Sequence, residues 1–517
     1  MAHDFLDDVI DKVSLIISGN KIKAPVVQRI PFTTSTARQT RCEEIMTLAQ
    51  SKLLCDADIG KQRNTYSPGA RSAVLDLRLM LSFELSSKRT QKYVMDLVSS
   101  NMRTVFSIAG DRKFLHSGYP SEPILAEAAA RQLETWHKQE DESSPHPAVT
   151  VLYEDLQRNL LSREDIGEVT ARLLLMRARD QATLNETPKG TSPHFSKPVS
   201  LITFLSALFS SNQLNKILDT KPDNIPDSDD QPTDSLRLAF KDAVINFTHF
   251  AKWGDDSATQ QDSALACFLR HSAPICRDGF QAVDCAIPVL LRRSDLLSPQ
   301  AMTMILIQIK LRARTSNPSE FNISQEEVGL FPKEEVEDNN MRRPYISLVM
   351  DLGATKSPSL FTYTQTNDNY KIAEQEREVS NEESRKRKKI EDDSSFNVGQ
   401  APRMHRVPDV HPRYSIYVRG CSPSVYGVIK LGIEVNRFKT LIRASDFLSD
   451  HPRPDKRSLD AVRNLKPFFC VGKQYNHWTG IDTLNPPDEA RTEEDIIIVH
   501  EDIKNKTIKP CVTEEDI

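Results

Sequence analysis

The residue whose type and place most suggest chemistry is Asp284, alone among apolar neighbours in AVDCAIPVLL, residues 282–291. In an extended strand successive side chains point to opposite faces, so Asp284 is expected to face away from Val283, Cys285, Ile287 and Val289. Burying an unpaired carboxylate is costly, and a metal ion, a lysine or ordered water must compensate it. Further on, TMILIQIKLRA (303–313) sets Ile305, Ile307, Ile309 and Leu311 on one face, and Gln308 and Lys310 on the other. The short connection RRSDLLSPQAM suits an antiparallel pair, which brings Asp284 near Gln308 and Lys310. A carboxylate beside an amide oxygen offers hard donors to Mg²⁺. The metal polarises a phosphate and lowers the pKa of bound water, and a lysine offsets charge in the transition state. Asp284 and Gln308 are therefore candidate metal ligands, and Asp284, Gln308 and Lys310 candidate catalytic residues. The plain alternative is a buried Asp284–Lys310 ion pair in an ordinary sheet. A further acid on the preceding helix would strengthen the catalytic reading. ALACFLRH (264–271) has none, and Asp256 and Asp262 lie just upstream.

These residues need strands to hold them. PICR, FQAVDCAIPVLL, TMILIQIKLRA, YISLVMDL and RYSIYVRG all read as strands, since short apolar runs rich in β-branched residues fit a buried sheet. Before them the pattern is helical. Apolar residues recur at Val74, Leu77, Leu81 and Leu85, and again at Ile166, Val169, Leu173 and Leu174. ILAEAAARQLETWHK follows Ser121 and Pro123, a plausible N-cap and first-turn proline. SLRLAFKDAVINFTHFAKW (235–253) also reads as a helix, with Phe247, Phe250 and Trp253 on a core face. MRTVFSIA (102–109) fits a short strand or a helix end.

The fold class expected is α+β: a helical N-terminal region, then an α/β domain with a mixed sheet. The expected segments are a variable stretch at 1–69, a helical domain at 70–218, a solvated acidic linker at 219–235, the α/β domain at 236–364 and 413–482, a disordered insertion at 365–412 and an acidic tail at 483–517. The linker and insertion rest on dense charge and proline with few apolar residues.

Composition narrows the function. The net charge of the 517 residues is −5, so any nucleic-acid contact must come from a local patch. Arg292, Arg293, Arg312 and Arg314 flank the proposed strands and could contact phosphates or be ordinary surface charge. No run of about 18 apolar residues is present, so no membrane partner is expected, and the acidic start does not resemble a signal peptide. None of the eight cysteines forms a CxxC pair, which fits a reducing intracellular compartment, nuclear or cytoplasmic. GxxxxGK[ST], HExxH and GxSxG are all missing. The five basic residues Arg385, Lys386, Arg387, Lys388 and Lys389 fit a nuclear localisation signal or a solvated charge run. His249, His271 and Cys276 match no metal-site spacing and are read as satisfied core or surface positions. GCSPSVYGVIK (420–430) reads as a turn followed by a helix.

The Asp…Gln-x-Lys pattern resembles the PD-(D/E)XK motif of the restriction-endonuclease-like core, in its Gln variant. The stretches SGYPSEPILAEAAA, GEVTARLLLMRARDQA, KPVSLITFLSAL, RPYISLVMDLGA and RYSIYVRGCSPSVYGVI are similar to an uncharacterised fungal family, mainly from mushrooms. That family is in turn similar to Crinkler and retrotransposon-hot-spot effectors. The resemblance spans roughly residues 70–480. It implies an endonuclease-like module, intact or degenerate, hydrolysing nucleic-acid phosphodiesters with Mg²⁺ through Asp284, Gln308 and Lys310. The P-loop module common in those effectors is missing here. The competing expectation is a non-catalytic scaffold whose partner is a protein.

Overall fold

The computed structural model describes residues 35–108, 115–162, 165–225, 233–277, 279–280, 282–293, 295–311, 323–332, 342–353 and 411–443, and the strand Ile496–Val499. The basic run Arg385–Lys389, nearly all of the expected insertion at 365–412 and Arg312 and Arg314 lie outside the described residues. The elements in chain order are α1 (Ser35–Leu54), α2 (Pro68–Leu79), α3 (Lys88–Ser100), β1 (Thr104–Ile108), β2 (Leu115–Gly118), α4 (Pro123–Gln139), α5 (Pro147–Gln157) and α6 (Ile166–Glu186). Then come β3 (Val199–Ser200), α7 (Leu201–Leu208), α8 (Ser211–Leu218), α9 (Leu236–Ala239), β4 (Val244–Ile245), β5 (His249–Lys252), α10 (Gln261–Leu269), β6 (Ser272–Ile275) and β7 (Cys285–Leu290). The last are β8 (Met302–Lys310), α11 (Gln325–Val328), β9 (Tyr345–Asp351), β10 (Arg413–Arg419), α12 (Ile433–Arg443) and β11 (Ile496–Val499). This is an α+β protein: helices first, then a mixed sheet.

The main sheet runs in the order β11-β10-β9-β8-β7-β4-β3, with β6 also on β7 and β5 on β6. β7 and β8 are antiparallel; β8, β9 and β10 are parallel. One face, with Cys285, Ile287, Val289, Ile305, Ile307 and Ile309, joins a core that includes Leu53, Leu75, Trp136, Leu174 and Leu441. The other face, with Ala286, Met304 and Leu306, packs against Phe268 and other residues of a smaller core. The alternation read from the sequence is thus the alternation between two cores. The larger core is continuous from the first helices to the last, so the helical region and the sheet are packed as one body.

Local sequence explains the helices. In α2 the Ser67 hydroxyl accepts from the Ala70 N–H at 3.1 Å and Pro68 starts the first turn, an N-cap with its proline. Met80 ends that helix in the left-handed region, φ 56°. At the start of α4 the Ser121 side chain makes no cap bond. Its hydroxyl meets His249 Nε2 at 3.0 Å. In α6, Leu173, Leu174, Leu175 and Met176 are all buried, so this helix has no solvent stripe. The charged groups it carries inward have hydrogen-bond partners. Arg177 bonds Glu434 of α12, and Arg179 donates to the Phe195 carbonyl at 3.0 Å.

Three expectations change. The stretch 235–253 is not one helix: α9 stops at Ala239 and the chain enters β4 and β5. Phe247 and Phe250 are core residues as expected, but the β-branched Val244, Ile245 and Thr248 favour extended backbone. The described part of the acidic linker is only partly solvated: Asp219 and Asp234 are exposed, but Asp223 is packed against the sheet. Asp223 pairs with Arg413 of β10 at 2.8 Å, and the Arg413 N–H donates to Asn224 Oδ1 at 2.9 Å. The stretch after Gly420 is a run of turns rather than a turn leading into a helix. Tyr426 bridges Phe209, and the next helix, α12, starts only at Ile433.

One buried acid makes stability depend on pH. Asp155 of α5 accepts from the Ser72 hydroxyl at 2.5 Å, and Ser72 accepts from the Tyr93 hydroxyl at 2.8 Å. Burial pushes the Asp155 carboxyl up to about 7, against the pull of Ser72. A carboxyl that holds its proton more tightly when folded stabilises the fold below the ordinary carboxylate range. That contribution fades as pH rises through about 7. The wild type is therefore expected to lose on the order of a few kcal/mol from this group between about pH 4 and 8. Urea midpoints of wild type and Asp155→Asn across that range check it. The variant should show the flatter profile, and parallel profiles would rule out Asp155 as the source.

Candidate active site

The β7–β8 pair carries the three residues singled out by the sequence. Cys285 stands opposite Ile307 and Leu290 opposite Met302. The Leu291 N–H donates to the Ala301 carbonyl at 3.1 Å. Bonded pairs alternate along an antiparallel ladder, which makes Cys285 and Ile307 a bonded pair. The Asp284 N–H donates to that same Ile307 carbonyl at 2.9 Å. Two residues of one strand thus oppose one of the other, which is a β-bulge. The Asp284 carbonyl turns the other way and accepts from the Cys276 N–H at 2.9 Å.

The bulge cancels the strict alternation on which the expected Asp284 orientation rested. Its carboxylate folds over the end of β8, where Oδ2 accepts from the Ile309 N–H at 2.5 Å. Burial raises the Asp284 pKa; the Ile309 amide and the charges of Lys310 and Arg172 pull it back down. Arg172 is a buried guanidinium on α6. Asp284 therefore lies within the field of Lys310, and the carboxylate is partly engaged by backbone.

Gln308 and Lys310 lie on the face shared with Leu306, as alternation requires. Gln308 Oε1 is buried and receives no hydrogen bond. Lys310 is half-buried and forms no ion pair among the described residues. The parallel ladder sets Lys310 beside Asp351, and Asp351 beside Arg419. A charged row thus crosses the carboxyl ends of β8, β9 and β10. Asp351 is buried and its Oδ2 accepts from the Tyr417 hydroxyl at 2.8 Å. Ligands of open α/β sheets gather outside the carboxyl ends of parallel strands.

Asp351, Tyr417 and Arg419 were missed from the sequence. A usable signal existed: Asp351 closes the apolar run YISLVMD as a lone acid, as Asp284 opens another. Neighbourhood between β8 and β9 was not readable, because 34 residues separate Lys310 from Tyr345. The upstream acids do not join the set. Asp256 pairs with exposed Arg277, and Asp262 sits in the first turn of α10. Arg292 and Arg293 are exposed. His249 meets Ser121 and Thr248, and His271 Nδ1 meets Asn246 Oδ1 at 3.1 Å, so both rings have protein partners.

Among the described residues no group of three or more His, Cys, Asp or Glu side chains stands ready to hold a metal. The donors at the end of the sheet are instead mixed: the carboxylates of Asp284 and Asp351 and the amide oxygen of Gln308. All are hard oxygens, the type Mg²⁺ takes. The buried Gln308 oxygen without a donor is what a bound cation would satisfy. Among the described residues, no helix is long and apolar enough to cross a membrane.

No curated protein matches this chain, and no solved structure does. A family model described as "Domain of unknown function (DUF8736)" matches residues 70–397. The match opens in α2 and runs past β9, so it takes in both the helices and the Asp284–Lys310 hairpin. It covers more than half of the chain, and the protein belongs to the DUF8736 family.

Proposed function

We propose that this protein carries a restriction-endonuclease-like module that hydrolyses nucleic-acid phosphodiesters at the carboxyl end of β8. The observation that carries the reading is the pairing of a buried, undonated Gln308 oxygen with an uncommitted Lys310 two residues on. A buried acceptor left without a partner costs about 1–3 kcal/mol, so a bound cation there would recover a real penalty. The resemblance of the hairpin to the PD-(D/E)XK motif is the second support.

In this reading Asp284 and Gln308 hold Mg²⁺, with Asp351 as a further acid within the charged row. Mg²⁺ supplies a polarised phosphate and a more acidic water. The Ile309 N–H fixes one oxygen of Asp284, which orients the carboxylate before any ligand arrives. Lys310 meets the negative charge that builds on phosphorus in the transition state. Asp351, held by Tyr417, stands beside Lys310 across the parallel ladder. Nucleic acid is then the partner, and a nuclear or cytoplasmic setting follows from that substrate.

One observation favours the scaffold reading, in which the partner is a protein. The Asp284 carboxylate bonded to the Ile309 amide is also what a strand-end cap would look like. Plasmid cleavage by the full chain with Mg²⁺ separates the two. Wild type should nick or linearise DNA or cut single strands, and Lys310→Ala should lose at least about 100-fold in rate. Equal rates, or no cleavage by wild type, would leave the scaffold.

A further inference from the structure

A sizeable cavity lies away from the sheet end. It measures about 640 Å³ and is walled by the segment that follows α2, Val94 of α3, the β1–β2 hairpin, the residues leading into α4 and the β5–β6 region. That volume is in the range of small-molecule sites, about 300–1,000 Å³. None of Asp284, Gln308 or Lys310 lines it.

The wall has a definite chemistry. Phe83, Phe106, Tyr119 and Trp253 supply aromatic surface, and Lys252 and Arg270 supply positive charge. No Asp or Glu lines the cavity among the described residues. Arg103 also reaches it, but its charge is spent on Asp76. Arg270 is different. Its guanidinium donates to the Ser121 hydroxyl at 3.2 Å and to the Ser121 carbonyl, both neutral, and it meets no carboxylate among the described residues. A guanidinium held by neutral groups at a cavity mouth keeps its charge and part of its fork for an incoming anion.

The aromatic side is also set. The Trp253 indole N–H donates to Ser257 Oγ at 2.8 Å, and Ser257 is held by Asp255, so the ring is fixed. Phe106 is 53% exposed, an open aromatic face on the hairpin that borders the cavity. Three residues forced into left-handed backbone, Met80, Met102 and His271, sit in or next to the wall. Strain of this kind gathers at ligand sites. Aromatic faces beside a cation are how proteins hold a base and its phosphate together.

We propose that this cavity binds a nucleoside monophosphate group, with the base against Trp253 and Phe106 and the phosphate on Arg270. The group can be a free nucleotide or the phosphorylated end of a single strand. The inference does not rest on the nuclease reading, since it uses other residues and needs no metal.

Calorimetric titration of the full chain, in EDTA, tests it without any cleavage. Adenosine 5′-monophosphate should bind. Adenosine and ribose 5-phosphate should each bind at least about tenfold more weakly, because each keeps only one of the two contacts. Arg270→Ala and Trp253→Ala should each weaken the nucleotide at least about tenfold, while Trp253→Phe keeps most of the affinity. Should Arg270→Ala fold poorly, Arg270→Lys reads the same point, as loss of the fork without loss of charge. A 5′-phosphorylated oligothymidylate binding more tightly than its unphosphorylated form and than the mononucleotide assigns the strand end. The reverse order assigns the free nucleotide. No binding of any probe at millimolar concentration overturns the proposal. So does nucleotide binding untouched by both the arginine and the tryptophan replacements.

Discussion

Replacing Arg78 with alanine is expected to destabilise the protein by about 3–5 kcal/mol, because it strands a largely buried carboxylate, that of Asp180. Arg78 of α2 is fully buried. Two of its nitrogens grip Asp180 of α6 side by side, at 2.9 and 2.8 Å, and the third donates to the Thr248 carbonyl at 2.5 Å. One side chain thus ties the first core helix, the central helix and the chain entering β5. Without it Asp180 keeps its charge in a nearly dry place and a main-chain carbonyl loses its donor. Arg78→Lys should fall between, since an ammonium cannot reproduce the planar fork. The double variant Arg78→Met, Asp180→Leu should cost less than Arg78→Ala alone, because no charge is left behind. Chemical denaturation of the four proteins measures this. A double variant less stable than the single would refute the charge argument.

Cutting the chain after Asn397, where the family match ends, is expected to abolish cooperative folding. β10 and α12 both follow that point. Tyr414, Ile416, Val418, Phe438 and Leu441 are buried in the larger core. Each large apolar side chain is worth about 1.5–3 kcal/mol when buried, against a total stability of about 5–15 kcal/mol for a typical domain. Five such losses together are of the same size as the whole stability of an ordinary domain. The cut would also bare the hydrogen-bonding edge of β9 along Tyr345–Asp351, a template for aggregation. Circular dichroism against urea would show it. A sigmoidal transition near the midpoint of the full chain would mean that 398–517 is dispensable for the core.

The strands were legible because β-branched runs alternating between two buried faces leave a clear period. Cys285 to Leu290 and Met302 to Lys310 follow it residue by residue. The same rule failed at Asp284, where a bulge adds one residue and no composition marks the change. Residues 235–253 were misread for a related reason. Their aromatics recur at helical spacing, but tertiary packing sets Phe247 and Phe250 from extended backbone. Asp351, Tyr417 and Arg419 come together only through parallel pairing across long connections, which local sequence does not encode. The cavity beside Trp253 was hidden for the same cause, since its walls come from residues 80–121 and 251–272. The aromatic and basic mixture in NFTHFAKW was visible, and the fold divides it. Phe247 and Phe250 go to the larger core, Trp253 packs on the smaller core and borders the cavity, and Lys252 lines the cavity.

The shared core also sets an order of events during synthesis. Glu434 of α12 bonds Arg177 of α6 and the His146 N–H at the head of α5. The helices made first therefore lack these partners until almost the whole chain has left the ribosome. Contacts of such long sequence separation form slowly, and an incomplete core leaves apolar surface open to other chains. Newly made protein should thus depend on holding chaperones until α12 emerges, and yield in cells should follow the pace of translation more than the stability of the finished fold.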